Sequence, residues 1–450
     1  MPKKRSIRKA RTTKTRRAPA KKTAGIRVRM YRVGFGDFFL LTVRGDDSVP
    51  RHVLIDCGVH AANLGSIGAA IDDLAKETDR KLALVVMTHR HADHISGFAT
   101  GRDVFATFEV ERVWMPWYEN PREPRAASLQ ATLTDVATRL QLAFAARASN
   151  DDAHAFALAR NITGVMAAAG GRSGNAVALA TLHGGFANQA PVDYYKAGDV
   201  PTLPGSLQRA GVTATILGPP IDEKLMAQMD GRGHQYLAAV AGDEEPPVRF
   251  NAAYEATAAA YPASAFALFP AQELEDRVGS VQPDLLEAMA LKADKTINNQ
   301  SLVVLFTING KNLLFVGDAQ WGNWQAFLFG GALGSAGHTD FTNEAKTILG
   351  TLDFYKVGHH GSTNATPIDA LTAMRDGCVA MCSTEPGAYG SPENDSEVPR
   401  VPLLAALDRK TGSQLACSNE VAVDGAAATT KRTLAPVFTT PGTLYIDYEL

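Results

Sequence analysis

Four side chains able to bind a metal ion, His89, His91, Asp93 and His94, fall within six residues. An imidazole-rich set with one carboxylate suits zinc, manganese or iron better than magnesium or calcium, which prefer oxygen ligands. Directly before it runs Leu82 to Met87, an unbroken apolar stretch that reads as a strand buried on both faces. Thr88 ends that strand, so the ligands are expected on the loop at a strand's C-terminal end, where α/β proteins usually build their sites. Histidines scattered singly over polar loops carry no such meaning. A His-x-His-x-Asp-His run behind a buried strand does.

Other strand ends offer matching groups. Ser301–Thr307 and Leu313–Val316 flank Asn309-Gly310 as a hairpin, and the hairpin ends in Gly317-Asp318. A carboxylate there can bridge two cations about 3.5–4 Å apart. Leu352 to Val357 leads into Gly358-His359-His360-Gly361-Ser362, which offers one ligand and a neighbour acting as proton donor or phosphate contact. Val53–Ile55 ends in Asp56, either a turn former before Gly58 or a carboxylate that orients a ligand histidine. Together His89, His91, Asp93, His94, Asp318 and His360 suffice for two divalent metal ions sharing Asp318. Such a pair acidifies a water and stabilises developing negative charge, which is the chemistry of metal-assisted hydrolysis.

The elements that must position these groups read as α/β. Ile26–Val33 and Phe38–Val43 are strands around Gly34-Phe35-Gly36-Asp37, Ile67–Thr78 is amphipathic, and Val212–Leu217 is a further strand. Ser128–Ala169 has helical spacing of Ala and Leu, and Ile221–Thr296 reads as a second, mainly helical insertion. His154 is expected to be exposed in the first of these, and His183 is either a ligand from an adjacent loop or unconnected with the site. Trp114, Trp117 and Tyr118 form either a buried cluster or a stacking rim for bases.

Composition sets outer bounds. The 450 residues, 45% hydrophobic and 20% charged, suit a globular protein with one large core or two smaller ones. No apolar run approaches the roughly 20 residues needed to span a bilayer, and no early apolar segment reads as a secretory signal. Cys57, Cys378, Cys382 and Cys417 are too few and scattered for a disulfide framework, so they read as buried thiols of a cytoplasmic protein.

The net charge of −2 conceals a segregation. Residues 1–25 hold eleven bases and no acid: Lys3, Lys4, Arg5, Arg8, Lys9, Arg11, Lys14, Arg16, Arg17, Lys21 and Lys22. Taking those eleven from 45 leaves 34 bases against 47 acids, so the rest of the chain carries about −13. A disordered basic tail of this kind either attracts nucleic acid in a salt-dependent way or serves to solubilise or dock a partner. The sequence leaves the oligomeric state open.

The ligand run resembles the signature of the metallo-β-lactamase superfamily of metal-dependent hydrolases. Further stretches are similar to the hydrolase domain of ComEC-type competence (DNA-uptake) proteins and their soluble relatives: Val33-Gly-Phe-Gly-Asp37 with Val53 to Gly58, Lys196-Ala-Gly-Asp199, Asn298-Asn-Gln-Ser-Leu-Val-Val304, Leu314 to Asp318, and Lys356 to Ser362. The resemblance covers roughly residues 26–120 and 190–395 and implies an αββα sandwich with two zinc or manganese ions. It sets one catalytic domain over 26–395, helical insertions at about 120–190 and 221–296, and a C-terminal extension over 396–450 packing on the core. By analogy His89 and His91 bind one metal, Asp93, His94 and His360 the other, and Asp318 bridges. His359 then touches the scissile phosphate or protonates the leaving group, with its assignment against His360 open, and Asp56 supports a ligand from behind.

Two departures stand out. Many superfamily members carry a ligand histidine where this chain has Asn298-Asn299, whose amide oxygens are weaker ligands. The branch often shows Tyr-Gly-His-Pro, whereas this chain has Tyr389-Gly390-Ser391-Pro392. The expected function is therefore a nuclease or phosphodiesterase. Hydrolysis of a small ester, lactone or thioester is the alternative, and a non-catalytic scaffold or sensor of the same fold the third reading.

Overall fold

In the computed structural model, the described residues are 25–60, 67–131, 133–134, 174–226, 296–330, 341–388, 397–420 and 433–450. The basic tail, His154, the Tyr389–Pro392 stretch and most of both expected insertions lie outside them.

Two mixed sheets repeat one plan. β1 (Gly25–Tyr31), β2 (Phe38–Arg44) and β3 (Pro50–Cys57) form an antiparallel meander, continued in parallel by β4 (Lys81–Val86), β5 (Glu109–Pro116) and β6 (Val192–Tyr195). The second sheet starts again with an antiparallel meander of β7 (Val212–Gly218), β8 (Val303–Ile308) and β9 (Lys311–Phe315). It too continues in parallel, with β10 (Leu352–Lys356), β11 (Val379–Cys382) and β12 (Leu415–Cys417). The expected hairpin joins β8 to β9, and Asn309 and Gly310 both take positive φ, as its two-residue turn requires.

Side-chain alternation explains how the sheets stack. Phe39, Leu41 and Val43 of β2 and Val53 and Ile55 of β3 share one core with Phe306, Ile308, Leu313 and Phe315 of β8 and β9. The intervening residues point outward on each sheet. Phe38, Leu40 and Leu54 meet α1 (Ile67–Glu77), α2 (Ala92–Thr100) and α3 (Gly174–Gly184). Val303, Leu305 and Leu314 meet α4 (Trp321–Phe329), α5 (Asn343–Gly350), α6 (Ile368–Ala373) and α7 (Val401–Thr411). Helices therefore cover the outer faces of two sheets that face each other. Trp114 is buried between the sheets, stacked on Phe306 at 6.2 Å and 10°. Trp117 and Tyr118 are buried as well, so this aromatic cluster is core and not a stacking rim.

The C-terminal residues join both sheets. α7 and β12 belong to the layers of the second sheet, while β13 (Phe438–Thr439) and β14 (Tyr445–Glu449) extend the first. β14 pairs antiparallel with β1 from Arg27↔Glu449 to Tyr31↔Tyr445, which closes an edge that β1 would otherwise expose. The attachment is also ionic. Buried Arg29 reaches Asp447 with Nε and Nη2 at 2.8 and 2.9 Å and Asp73 of α1 with Nη1 at 2.8 Å, and it lies over the Tyr445 ring. No helix among the described residues is long and apolar enough to cross a membrane.

Two stability outcomes follow. Asp447→Ala leaves the Arg29 guanidinium buried without its main partner and is expected to lower the unfolding free energy by about 3–5 kcal/mol in urea. His52 lies buried on β3, with Nδ1 3.1 Å from Thr42 Oγ1, and burial lowers its pKa to about 4 against the opposing charge of Glu77. Folded His52 stays neutral where the unfolded chain already takes a proton near pH 6.5, so its contribution is complete above that pH and is lost as pH falls towards 4. Between pH 7 and pH 5, His52→Gln should lose about 2 kcal/mol less stability than the parent.

Candidate metal centre

The site forms where β3, β4, β9 and β10 all end. Backbone contacts bring the segments together: Asp37 N donates to Asp93 O at 2.9 Å, and Gly58 N donates to Asp37 O at 2.9 Å. Gly58 makes this possible, because a Cβ there would lie 2.3 Å from the Asp93 carbonyl carbon and 2.4 Å from His94 N. Gly317, at φ +54°, is equally confined, with a Cβ position 2.7 Å from that of Thr88. Asp56, His359 and His360 have φ of 54°, 42° and 51°. Three non-glycine residues in left-handed backbone at one spot is a concentration of strain typical of functional sites.

The ligand run divides between two elements. His89 and His91 stay on the loop, but Asp93 and His94 lie in the first turn of α2. His94 Nε2 lies 3.1 Å from Asp318 Oδ2, and His360 Nε2 lies 3.1 Å from Asp93 Oδ2 and 3.5 Å from Asp318 Oδ2. One ligand atom from each of Asp93, His94, Asp318 and His360 falls within 4.8 Å of the others. The hydrogen bonds behind the rings decide which nitrogen faces inward. His94 Nδ1 donates to Asp56 Oδ2 at 2.7 Å, and His360 Nδ1 donates to Ser383 O at 2.8 Å. Both rings thus present Nε2 to the cluster. Asp56 in turn accepts from Thr88 N at 2.8 Å and Thr88 Oγ1 at 2.6 Å, so it holds the His94 ring in place from behind.

Buried carboxylates dominate the electrostatics of the cluster. Burial would raise the Asp318 carboxyl, yet His94 and His360 hold it well below the usual carboxylate range. Burial likewise opposes charge on His94 and His360, but Asp318 and the other carboxylates raise both, His360 to about 9. Asp37, which forms an ion pair with buried Lys356, is raised by burial in spite of that ammonium. The carboxylates therefore draw positive charge to one point. His94 Nε2 and Asp37 Oδ1 are buried there without a hydrogen bond of good geometry. A divalent cation fits this donor set.

His89 and His91 stand beside the cluster. Their Nε2 and Nδ1 atoms are 3.0 Å apart, and the His89 ring lies 4.1 Å from that of His94. His89 Nδ1 is 3.2 Å from Thr88 Oγ1 and 3.3 Å from Ser301 Oγ, and the latter also accepts from Asp318 N at 3.0 Å. Burial and the neighbouring imidazoles hold His89 well below the usual histidine pKa.

Of the two adjacent histidines, His360 enters the cluster and His359 does not. The His359 ring is instead flanked by Asn298, Ser362 and Asn364. Asn298 Nδ2 lies 3.4 Å from His359 Nε2, whereas Asn299 Oδ1 accepts from Gln320 N and Asn323 N and so supports α4. His183 is exposed near the end of α3, against Tyr194, and joins no ligand group.

Sequence reasoning assigned no role to Asp37, Lys356 or the Arg90–Glu119 pair. Lys356 donates to Gly317 O at 3.0 Å and lies 3.7 Å from Asp318 Oδ1. A lysine at the end of the Leu352–Val357 run, directly before the Gly358-His359-His360 turn, was the available signal. Arg90, between His89 and His91, makes a buried two-point ion pair with Glu119 at 2.8 and 2.6 Å. Asn175 Nδ2 donates to the Arg90 carbonyl at 2.9 Å. These contacts fix the loop that carries His89 and His91.

No family model and no curated protein matches the chain.

Asp56→Asn is expected to weaken Mn²⁺ or Zn²⁺ binding about 10–100-fold in calorimetric titration, because His94 loses the anion that orients it. An unchanged affinity would exclude Asp56 as the orienting group.

Proposed function

We propose that the chain is a metal-dependent hydrolase of phosphodiester bonds, a nuclease in the sense that its substrate is a polynucleotide, with Asp93, His94, Asp318 and His360 holding the catalytic cation. One observation carries this reading: four ligand atoms from three separate strand ends converge in a buried, carboxylate-rich cluster beside two further histidines. The layering of helices outside two facing mixed sheets supports the αββα sandwich of the metallo-β-lactamase superfamily. The pairing of His89 with His91 supports a second cation site, with zinc and manganese the metals best suited to the ligand types. Four buried, free cysteines support a reducing, cytoplasmic setting.

Bound divalent cations supply Lewis acidity: they acidify a water and offset charge on a phosphoryl group. The protein's own groups do the rest. Asp56 and the Ser383 carbonyl keep Nε2 of His94 and His360 facing inward. Lys356 balances part of the charge on Asp37 and Asp318. His359, partly exposed beside buried His360, is the imidazole that a substrate can reach. We assign nucleic-acid attraction to the basic tail, Lys3 to Arg17. The body's net charge of about −13 favours the alternative of a small ester as substrate.

Cleavage of single- and double-stranded DNA, RNA and bis-(p-nitrophenyl) phosphate with added Mn²⁺ or Zn²⁺ separates these readings. Metal-dependent cutting of polynucleotide is expected, with an Asp93→Ala/His94→Ala double variant slower by on the order of 10³-fold or more. Turnover of the small ester alone would transfer the assignment to a small-molecule phosphodiesterase. A metal-loaded protein that hydrolyses no ester would refute the hydrolase reading.

A further inference from the structure

Three side chains in a six-residue segment form a chain of hydrogen bonds whose proton positions can be worked out. Asn364 Oδ1 is a carbonyl oxygen and can only accept. Ser362 Oγ, 2.8 Å away, gives it the single hydroxyl proton. That leaves only lone pairs on Oγ to face His359 Nδ1 at 2.6 Å, so the imidazole must supply the hydrogen of that bond. Asn364 Oδ1 is itself 3.1 Å from the same nitrogen, a second acceptor that calls for a proton there. Gln320 Nε2, at 3.5 Å, is too remote to reverse the assignment. Across the ring, the Asn298 amide nitrogen lies 3.4 Å from Nε2, too long a contact to occupy that nitrogen's lone pair.

The backbone fixes this arrangement. Ser362 N donates to His359 O at 2.9 Å and Ala365 N to Ser362 O at 3.0 Å, while Trp324 Nε1 of α4 anchors Ala365 O at 3.0 Å. His359 N donates to Asp318 Oδ1 at 3.1 Å, which ties the relay to the cluster.

We propose that Ser362 and Asn364 are positioning residues that hold His359 in its Nδ1–H form, so that Nε2 is presented as a hydrogen-bond acceptor for an O–H group at the site. In hydrolysis that group is the attacking water. This part rests on the hydrolase reading, whereas the tautomer itself does not. The role differs from that of a donor to the phosphate or the leaving group, which needs a hydrogen on Nε2.

The test uses the full chain with ¹⁵N-labelled histidine rings, loaded with diamagnetic Zn²⁺ at about pH 8, with His359 assigned by the signals lost in His359→Gln. Long-range ¹H–¹⁵N spectra should show Nδ1 protonated and Nε2 bare. Ser362→Ala and Asn364→Ala should each move the ring towards the Nε2–H form, and Ser362→Thr should restore the parental spectrum. A hydrogen on Nε2 in the parent, or spectra unchanged in both alanine variants, overturns the proposal. In turnover, each alanine variant should lower kcat about 10–100-fold with little change in KM, and neither should slow His359→Gln further. Equal losses in the presence and absence of His359 would show a merely structural role and overturn it. If no ester is hydrolysed, the ring spectra still decide the relay, so its failure and that of the hydrolase reading are distinguishable.

Discussion

Buried negative charge is the constraint on which the site depends. Asp37, Asp56 and Asp318 are buried, and the Asp93 side chain retains only 15% of its exposure. Among the described residues the one buried ammonium ion-paired within this group is that of Lys356. Carboxylates in a low-dielectric interior must be protonated, paired or bound to a cation. Asp56 meets the condition through Thr88 and His94, and Asp37 through Lys356. Asp93 and Asp318 turn instead to Nε2 of His94 and His360, atoms whose rings are already oriented from behind. The result is a buried cluster able to hold a metal ion and not a collection of surface acids.

The fold delivers these groups through a repeated plan. Each sheet is an antiparallel meander followed by parallel strands, and in each the third and fourth strands end at the site. β3 and β4 bring Asp56 and the His89–His94 run, while β9 and β10 bring Asp318 and the His359-His360 pair. The shared apolar core fixes the spacing of the two sheets, and α2 starts within the cluster because Gly36 and Gly58 let its first turn approach backbone to backbone. Local strain at Asp56, His359 and His360 is the energetic cost of aiming three side chains at one point.

Much of this was legible in the sequence, for physical reasons. The Leu82–Met87 run, the Asn309-Gly310 turn and the strand before His359 are local signals of period and turn chemistry, and they place the residues of the candidate metal cluster just after strand ends. Asp56 was left open between a turn former and an orienting carboxylate, and in the fold it accepts from His94 Nδ1, a contact between segments that no local pattern specifies. Non-local pairing was not legible. The Tyr445–Glu449 strand finds its partner some four hundred residues earlier in β1, and no local pattern announces such a contact. Asp37 and Lys356 were missed because each looks ordinary alone, one a turn acid after glycine and the other a strand lysine. Their roles exist only once β10 lies beside the Gly34–Asp37 turn. The choice between His359 and His360 depended on which ring meets Asp93 and Asp318 once the strands are paired, which residue type does not encode.

The claim that the carboxylate–imidazole cluster binds a divalent cation is tested most directly by the dependence of folding stability on free metal. Urea unfolding would be followed at buffered free Mn²⁺ or Zn²⁺ and with chelator, for the parent chain and for Asp318→Asn. A native-state site is expected to raise the parent's unfolding free energy with metal concentration, by about 2.7 kcal/mol at one hundred times the dissociation constant, and to leave Asp318→Asn nearly unresponsive. A parent chain whose stability is the same with metal and with chelator would contradict the assignment of the cluster as a metal centre.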